Sequence, residues 1–294
     1  MEQCGGSDIS LAIETMGEVY SLHQKGQYIL PDKTVLRWGD LDSEINLGRI
    51  NSLSAYIGGK FKVTGTKWIS NAPMNPQKYS MPRTPDLIIL NNYNTLAPKS
   101  VMDGMLISAT RTGADSGVAA SYLAHKNSKT LGLVGAGLEN RTQLLAMSKV
   151  LRYLKFVKVM DIDLNKAKEF SSEMSPKIGI NIEVLKSPEE VIKNSDVFIT
   201  ATATKKPIVK YEWIKSGALY IHVGSHETEF EVVDKADKII VDDWEKIKQR
   251  GVSSIALMHK DGKICDSNIY AQLGDIVNRK KNGRVNDHEF ILIV

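Results

Sequence analysis

One strand of this 294-residue sequence ends in a dense group of polar and titratable side chains. The stretch YIHVGSHETEF, residues 220–230, is apolar up to Gly224 and then brings Ser225, His226 and Glu227 together. His226 could act as an acid or a base, because imidazole titrates near neutral pH. Glu227 could carry the proton instead, and a solvated loop without chemistry is the third interpretation. The residues alone leave these three alternatives open.

A second group of residues has the chemistry of a nucleotide site. Gly135 and Gly137 follow a buried strand and open a helix, and Asn140 takes the third position of the G-x-G-x-x-G pattern. Gly135 permits a tight turn, and Gly137 lets backbone amides approach a pyrophosphate at the positive end of the helix. Asp161 ends the next strand, 24 residues beyond Gly137, where an acid binds the adenosine ribose and repels a 2′-phosphate. The pattern predicts NAD, with NADP not excluded; the alternative is an ordinary turn and an ordinary strand-end acid.

The strand DVFITATAT, residues 196–204, alternates threonine with alanine toward its end. Side chains two residues apart share one face of a strand, so Thr200, Thr202 and Thr204 should present their hydroxyls on the same side. Small side chains there would let a dinucleotide approach the backbone. We predict Thr200 and Thr202 as cofactor contacts, together with Gly224 at another strand end.

The elements that position these residues alternate between strands and helices from residue 129 onward. Such alternation predicts a Rossmann-type, doubly wound parallel sheet in an α/β protein, and we assign it to residues 126–261. Residues 1–125 predict a smaller α+β substrate-binding and dimerisation domain, with a first helix over 8–25. The apolar end EFILIV is expected to return, within residues 262–294, to the sheet of this first domain.

Composition and charge argue against a nucleic-acid-binding protein and against a membrane protein. Apolar residues make up 42% and charged residues 24% of the chain, with a net charge of +4. Basic and acidic residues alternate, which argues against a nucleic-acid surface. No apolar run approaches the roughly 18 residues that span a bilayer, and the first residues do not resemble a signal peptide. Cys4 and Cys265 form no metal-ligand pattern, so we expect reduced thiols in a cytoplasmic protein and no metal site.

Five stretches resemble the ornithine cyclodeaminase/μ-crystallin family, in the order that this family has them. They are GTKWIS (65–70), MDGMLISATRTGADSGVAASYLA (102–124), LGLVGAG (131–137), SDVFITATATKKPIV (195–209) and WIKSGALYIHVGS (213–225). The resemblance implies an NAD(P)-dependent enzyme of amino acid metabolism that oxidises amines or reduces imines. It also implies a homodimer whose first domain carries the substrate pocket and the dimer interface.

The resemblance implies roles for three residues. Lys67 matches the family's substrate lysine in G-x-K, Arg111 matches its substrate arginine, and Thr112 lies at a cofactor-phosphate position. The chemistry agrees, because a guanidinium binds a carboxylate in a bidentate manner and a lysine near another cation exchanges protons closer to neutral pH. We therefore expect Lys67 and Arg111 to converge on one cavity beside the nicotinamide. Outside these motifs, we would interpret Lys67 as a surface lysine of a strand and Arg111 as a member of an ion pair of the dimer.

The sequence also departs from the family pattern. Lys33 stands where members commonly have an arginine, and Asn51 stands where cyclodeaminases have a glutamate. The aspartate that accepts a proton after the V-G of cyclodeaminases is absent, so His226 or Glu227 is predicted to replace it, with Lys67 acting alone as the alternative. The family usually has a further strand before the first helix and a last helix after EFILIV, and we expect a trimmed dimer domain.

Four functions are compatible with these residues. The first is hydride transfer at the α-carbon of an amino or imino acid by an NAD(P)-dependent oxidoreductase. The second is ornithine cyclodeamination, and the third is oxidative cleavage of an amino-carboxyethyl-glutamate adduct on the way to diaminopropionate. Arg83 and Lys33 would suit such a substrate, which has several carboxylates. The fourth is a non-enzymatic, cofactor-dependent ligand binder like μ-crystallin.

Overall fold

The computed structural model describes residues 3, 5–39, 48–204 and 206–294. It forms two compact units, of which the first contains Met1–Asp8 and Leu22–Thr110. The second contains Ile9–Ser21 and Arg111–Val294. The division therefore falls at residue 110, and residues 262–294 belong to the second unit.

The first unit is built on one antiparallel sheet whose six described strands have between two and ten residues. The strands are β1 (Tyr28–Ile29), β2 (Thr34–Trp38), β3 (Gly48–Ile57), β4 (Val63–Asn71), β5 (Asp86–Asn91) and β6 (Pro98–Asp103). Their order is β1-β3-β4-β5-β6, and β2 also pairs with β3. Glycine and proline between the apolar runs mark turns that separate such strands.

Three described helices lie within residues 1–125, and most of the first and the third belongs to the second unit. They are α1 (Ile9–Gln24), the four-residue α2 (Asn75–Lys78) within the proline-rich loop, and α3 (Met105–Leu123). Small residues on α3 allow other segments to approach it closely. A Cβ on Gly113 would lie 2.6 Å from the Thr142 backbone, and one on Gly117 would lie 2.9 Å from Ile13.

The second unit contains an eight-stranded parallel sheet. Its strands are β7 (Thr130–Val134), β8 (Phe156–Met160), β9 (Ile182–Val184), β10 (Val197–Thr200), β11 (Leu219–His222), β12 (Lys238–Val241), β13 (Ala271–Gln272) and β14 (Ile291–Ile293). Their order is β13-β12-β14-β11-β10-β7-β8-β9. The helices are α4 (Leu138–Val150), α5 (Leu164–Ile178), α6 (Pro188–Ile192), α7 (Phe230–Asp234), α8 (Trp244–Arg250), α9 (Ser254–Lys260) and α10 (Leu273–Val277).

Both faces of this sheet are covered. Successive residues of a strand point to opposite faces, so Ile199 and Ile221 join one apolar core while Phe198 and Tyr220 join another. Strands buried on both faces have continuous apolar runs, as β10 and β11 do. The predicted α/β class with a doubly wound sheet is confirmed.

The last strand corrects one prediction. We expected EFILIV to return to the first sheet, but β14 lies between β11 and β12 in the second. Ile291 pairs with Leu219 on one side and with Lys238 on the other. All three residues of β14 are buried, as an inner parallel strand requires. The apolar run indicates a strand but does not specify its neighbours.

The strand order identifies where a ligand would bind. From β7, the chain first builds β8 and β9 on one side and then crosses to add β10 and β11 on the other. In open parallel sheets, ligands bind outside the carboxyl ends of the strands at such a reversal. The turns after β7, β10 and β11 are therefore the places where a ligand would bind.

Candidate functional site

The turn after β7 requires glycine at residue 135. Gly135 has a φ of +99°, which disfavours other residues. A Cβ there would also lie 2.6 Å from the carbonyl oxygen of Ala201, which follows β10. The backbone N–H of Gly135 donates to the Met160 carbonyl at the end of β8, at 2.8 Å. The turn is thus fixed between the strands on either side.

Gly137 leaves the N-terminus of α4 open. It is the N-cap residue in an extended conformation, without a side-chain cap. Within the described chain, no atom beyond its immediate neighbours comes within 4 Å of the position that a Cβ would take. Amides of a helix N-terminus that is open in this way bind phosphate groups, and a missing side chain lets them approach. The turn fits the pyrophosphate of a dinucleotide.

Asn140 stabilises this turn by hydrogen bonds to its backbone. Its side chain is fully buried, and Nδ2 donates to the carbonyl oxygens of Val134 at 2.9 Å and Gly135 at 2.6 Å. We predicted a cofactor contact at Asn140. The structure instead gives its amide to the turn backbone, because the side chain points under the loop.

Asp161 lies beside the same turn, as its spacing predicts. Its Oδ2 accepts a hydrogen bond from the Ala136 N–H at 2.8 Å, and its Oδ1 accepts one from the Asp163 N–H at 2.9 Å. Each carboxylate oxygen has a second lone pair. The carboxylate can therefore hold the loop and still accept hydrogen bonds from ribose hydroxyls.

A buried carboxylate joins the loops that follow β10 and β11. Glu227 Oε1 accepts from the N–H and the Oγ1 of Thr202, at 2.6 and 2.5 Å. Its Oε2 accepts from Thr200 Oγ1 at 2.7 Å and from the Gly224 N–H at 2.9 Å. Glu227 and Thr200 are both fully buried. We predicted a cofactor contact at Thr200, and the structure directs its hydroxyl to this carboxylate inside the protein.

The surroundings of Glu227 disfavour proton exchange with a substrate. Burial raises the pKa of its carboxyl, while hydrogen bonds from Thr202 and Thr200 lower it. His222 Nε2 lies 3.6 Å from Oε2, and burial lowers the pKa of this imidazole to about 4, so it is neutral at physiological pH. A Cβ on Gly224 would overlap the Glu227 carboxyl, which explains glycine there. Glu227 therefore connects the segment after β10 to the loop after β11 by hydrogen bonds.

His226 lies in the same loop and is only partly buried. Its Nδ1 is 3.1 Å from Ser254 Oγ, which donates to the Thr228 carbonyl oxygen at 3.0 Å. A serine that donates to a carbonyl accepts from Nδ1–H, and this leaves Nε2 of a neutral ring as an acceptor. Ser254 could not be predicted as a partner of His226, since it lies 28 residues away along the chain. His226 remains the candidate acid or base of this loop.

Arg111 and Asp115 form an ion pair on α3. Arg111 Nη1 lies 3.1 Å from Asp115 Oδ2, and about half of the Arg111 side chain is exposed (48%). Burial raises the pKa of Asp115 to about 6, although Arg111 opposes that shift. Tyr20 of α1 and Asp242 after β12 also interact with Asp115. The (i, i+4) spacing of Arg111 and Asp115 was the sequence signal for this pair, and our prediction missed it.

Thr112 lies beside α4. The buried Gln143 side chain donates from Nε2 to the Thr112 carbonyl oxygen at 3.2 Å. The Thr112 backbone is thereby held near the helix whose N-terminus forms the open turn. Its predicted contact with a cofactor phosphate stays a prediction.

In the first unit, the structure brings two of the predicted substrate residues to one face of the sheet. Lys67 on β4 pairs with Leu53, and its Nζ donates to Ser108 Oγ on α3 at 3.2 Å. Asn51 lies two residues before Leu53 on β3 and therefore shares that face with Lys67. Lys33 and Arg83 lie outside the strands and are exposed.

The described residues contain neither a helix that could span a membrane nor a group of metal-ligating side chains. None of the helices among them is both long and apolar enough to span a membrane. In the same part of the chain, no three His, Cys, Asp or Glu side chains are grouped to hold a metal ion. Cys265 is an exposed free thiol, and Cys4 lies outside the described residues.

Comparison with known proteins identifies a family. Residues 12–293 match the model of the ornithine cyclodeaminase/mu-crystallin family. The chain is 32% identical to N-((2S)-2-amino-2-carboxyethyl)-L-glutamate dehydrogenase of Staphylococcus aureus, over 100% of this chain and 87% of the relative.

Solved structures agree with that match. The Delta(1)-pyrroline-2-carboxylate reductase of Thermococcus litoralis, in complex with NADH and L-proline, has a TM-score of 0.89 at 35% identity. The match covers 97% of this chain and 87% of that one. An archaeal alanine dehydrogenase dimer with bound NAD has a TM-score of 0.87 at 32% identity, over 97% and 85% of the two chains.

Proposed function

Because the chain belongs to the ornithine cyclodeaminase/mu-crystallin family, we propose that it is an NAD-dependent oxidoreductase of amino or imino acids. It transfers a hydride at the α-carbon of its substrate. The open turn at Gly135–Gly137, with Asp161 beside it, is the observation that carries this proposal. The reductase and the alanine dehydrogenase of similar structure hold NADH and NAD, which agrees with a dinucleotide at this turn.

The proposed chemistry assigns a task to each group. The bound nicotinamide supplies the carbon that gives or accepts the hydride. Amides at the N-terminus of α4 hold the pyrophosphate, and Asp161 accepts hydrogen bonds from the ribose. Arg111 pairs with the substrate carboxylate, since a guanidinium has donors beyond the one bonded to Asp115.

Protons at the substrate nitrogen need their own carriers. Lys67 is the first candidate, because it matches the substrate lysine of the family and lies on the same face of its sheet as Asn51. His226 is the second, because its Nε2 is a free acceptor when Nδ1–H bonds Ser254. Glu227 is not proposed in this role, since all its oxygens are buried and bonded.

A substrate with several carboxylates is a second, finer candidate. The Staphylococcus aureus relative, which matches this chain over its whole length, is a dehydrogenase of such a compound. The exposed cations Lys33 and Arg83 would suit additional carboxylates. This substrate is the one to compare first with alanine and with pyrroline-2-carboxylate.

A homodimer is the proposed assembly. Leu36, Trp68, Leu87 and Val101 lie on one face of the first sheet by their register, opposite to the face of Lys67. All four are substantially exposed, from 46% to 63%. Exposed apolar patches of this kind commonly mark protein interfaces, and a second copy of the chain presents the same patch. The alanine dehydrogenase of similar structure is a dimer.

A substrate scan tests the proposed function. L-alanine, L-proline and the amino-carboxyethyl-glutamate are each offered with NAD and NADP, and the imino acids or their precursors with the reduced cofactors. An oxidoreductase changes the nicotinamide absorbance in proportion to substrate consumed. Ammonia released from ornithine without net NADH would instead identify a cyclodeaminase, and NAD binding without any turnover would identify a ligand binder.

Lys67→Ala should then separate catalysis from cofactor binding. The turnover rate should fall at least about 100-fold, as expected for loss of an acid–base group, while NADH affinity stays near the wild-type value. Lys78→Ala, an exposed lysine of the same unit, is the matched control and should leave both quantities unchanged. Full turnover by the Lys67 variant would remove Lys67 from the mechanism.

A further inference from the structure

The carboxylate of Glu227 is the shared anchor of two segments that follow neighbouring strands. Its oxygens accept from Thr200 and Thr202 at the end of β10 and from Gly224 at the end of β11. Its own backbone carbonyl accepts from the N–H groups of Ile208 and Val209 at 2.7 and 3.1 Å. One residue therefore binds both Thr202, just after β10, and the backbone of Ile208 and Val209 farther along the chain.

Ala201 and Thr202 pack against the open turn. The carbonyl oxygen of Ala201 lies 2.6 Å from the position that a Cβ on Gly135 would take, and Thr202 Cγ2 lies 3.3 Å from it. The residues that Glu227 fastens are thus the ones packed against the predicted pyrophosphate turn. A shift of segment 201–202 would change the width of the cleft where a dinucleotide binds.

A carboxylate suits this position better than an amide would. Thr202 and Gly224 each direct a backbone N–H at Glu227, and an N–H can only donate. A glutamine has one oxygen and one NH2 group, so one of these two backbone donors would face another donor. Hydrogen bonds to an ionised acceptor are also the stronger kind.

We propose that Glu227 is a positioning residue that fixes the segments after β10 and β11 around the dinucleotide and thereby sets the affinity for NADH. The inference rests on the proposed NAD-dependent function and extends it to a residue that does not touch the cofactor. It differs from our earlier hypothesis of a proton carrier, because full burial separates Glu227 from the substrate.

The test is a titration of Glu227→Gln with NADH, followed by nucleotide fluorescence well below the melting temperature. We expect NADH affinity at least about tenfold weaker than that of the wild type, the change that corresponds to about one lost hydrogen bond. Glu229→Gln, a partly buried neighbour outside the cluster, is the matched control and should bind NADH as the wild type does. A variant that melts earlier but binds NADH with unchanged affinity would overturn the proposal, since its role would be purely structural.

A second variant covers the case in which Glu227→Gln does not fold. Thr200 is fully buried, and its Oγ1 donates to Glu227 and also lies 2.9 Å from the Tyr220 hydroxyl. Thr200→Val removes both hydrogen bonds, one of them to the anchor, without altering any surface that NADH could touch. Weaker NADH binding by this variant supports the proposal, and unchanged binding contradicts it. If the wild type itself binds no NADH, the proposed function fails, and with it the premise of this inference.

Discussion

At the residue scale, two carboxylates have different surroundings: Asp161 lies beside the open turn, and Glu227 is buried between the loops after β10 and β11. Gly135 and Asp161 lie where their spacing predicts, because short-range geometry after a strand determines their positions. Glu227 has a different environment from the one expected, since three of the four described hydrogen-bond donors to its carboxylate belong to Thr200 and Thr202, more than 20 residues away along the chain. Local patterns cannot predict which donors a folded loop will bring to a carboxylate.

Burial shifts the pKa of Asp115. Burial raises the pKa of its carboxyl to about 6, while the neighbouring Arg111 lowers it and Asp242 raises it. The folded protein therefore holds a proton that an unfolded Asp releases near pH 4. The free energy of unfolding should fall as the pH rises from about 4 to about 6, because ionising the folded carboxyl is disfavoured.

Asp115→Asn should remove this contribution. The stability of the variant should depend less on pH across that window, even if the loss of the bond to Arg111 lowers it throughout. Urea unfolding at several pH values between about 4 and about 7 measures the slope. Asp234→Asn, at an exposed position, is the control and should retain the wild-type slope. An Asp115 variant with the wild-type slope would show that this carboxyl does not titrate as stated.

At the element scale, strand–helix alternation predicted the parallel sheet well. Buried apolar runs between helices, such as β7, β10 and β11, can be recognised without any tertiary information. The position of β14 could not, because a buried parallel strand has the same composition wherever it is inserted. Sequence patterns therefore identified the strands, and only the structure gave their order.

The turn between β7 and α4 is a second case in which the sequence shows the residues and the structure shows their surroundings. Its two glycines are visible in the sequence, and the structure adds the reason that each is needed. Gly135 cannot take a Cβ, because of its φ and the Ala201 carbonyl, whereas Gly137 has open space where a Cβ would be. A substitution at Gly137 can therefore block a ligand without disturbing the fold.

At the scale of the whole molecule, the chain divides into a unit with an antiparallel sheet and a unit with a parallel sheet. Family membership over residues 12–293 accounts for both. The exposed apolar face of Leu36, Trp68, Leu87 and Val101 belongs to the first unit and is the proposed dimer interface. A sequence shows which residues are apolar, but their exposure on one face follows only from the strand register.

Trp68→Glu should weaken the proposed dimer. A charge at an apolar interface must be desolvated, so the molecular mass in solution should shift from that of two chains toward that of one. Analytical ultracentrifugation over a range of protein concentrations measures this shift. Tyr153→Glu, at a similarly exposed aromatic residue of the second unit, should leave the mass unchanged. A wild type that is monomeric at all concentrations, or a Trp68 variant with the wild-type mass, would refute this interface.

The central claim is that the turn at Gly135–Gly137 holds a nicotinamide dinucleotide. NADH titration of the wild type and of Gly137→Ala tests it most directly. The new methyl group enters the space of the open turn, and no described atom beyond its immediate neighbours lies within 4 Å of it. We predict saturable binding by the wild type and at least about tenfold weaker binding by the variant, with its stability within about 1 kcal/mol of wild type. Equal NADH affinity of the two proteins would contradict the account.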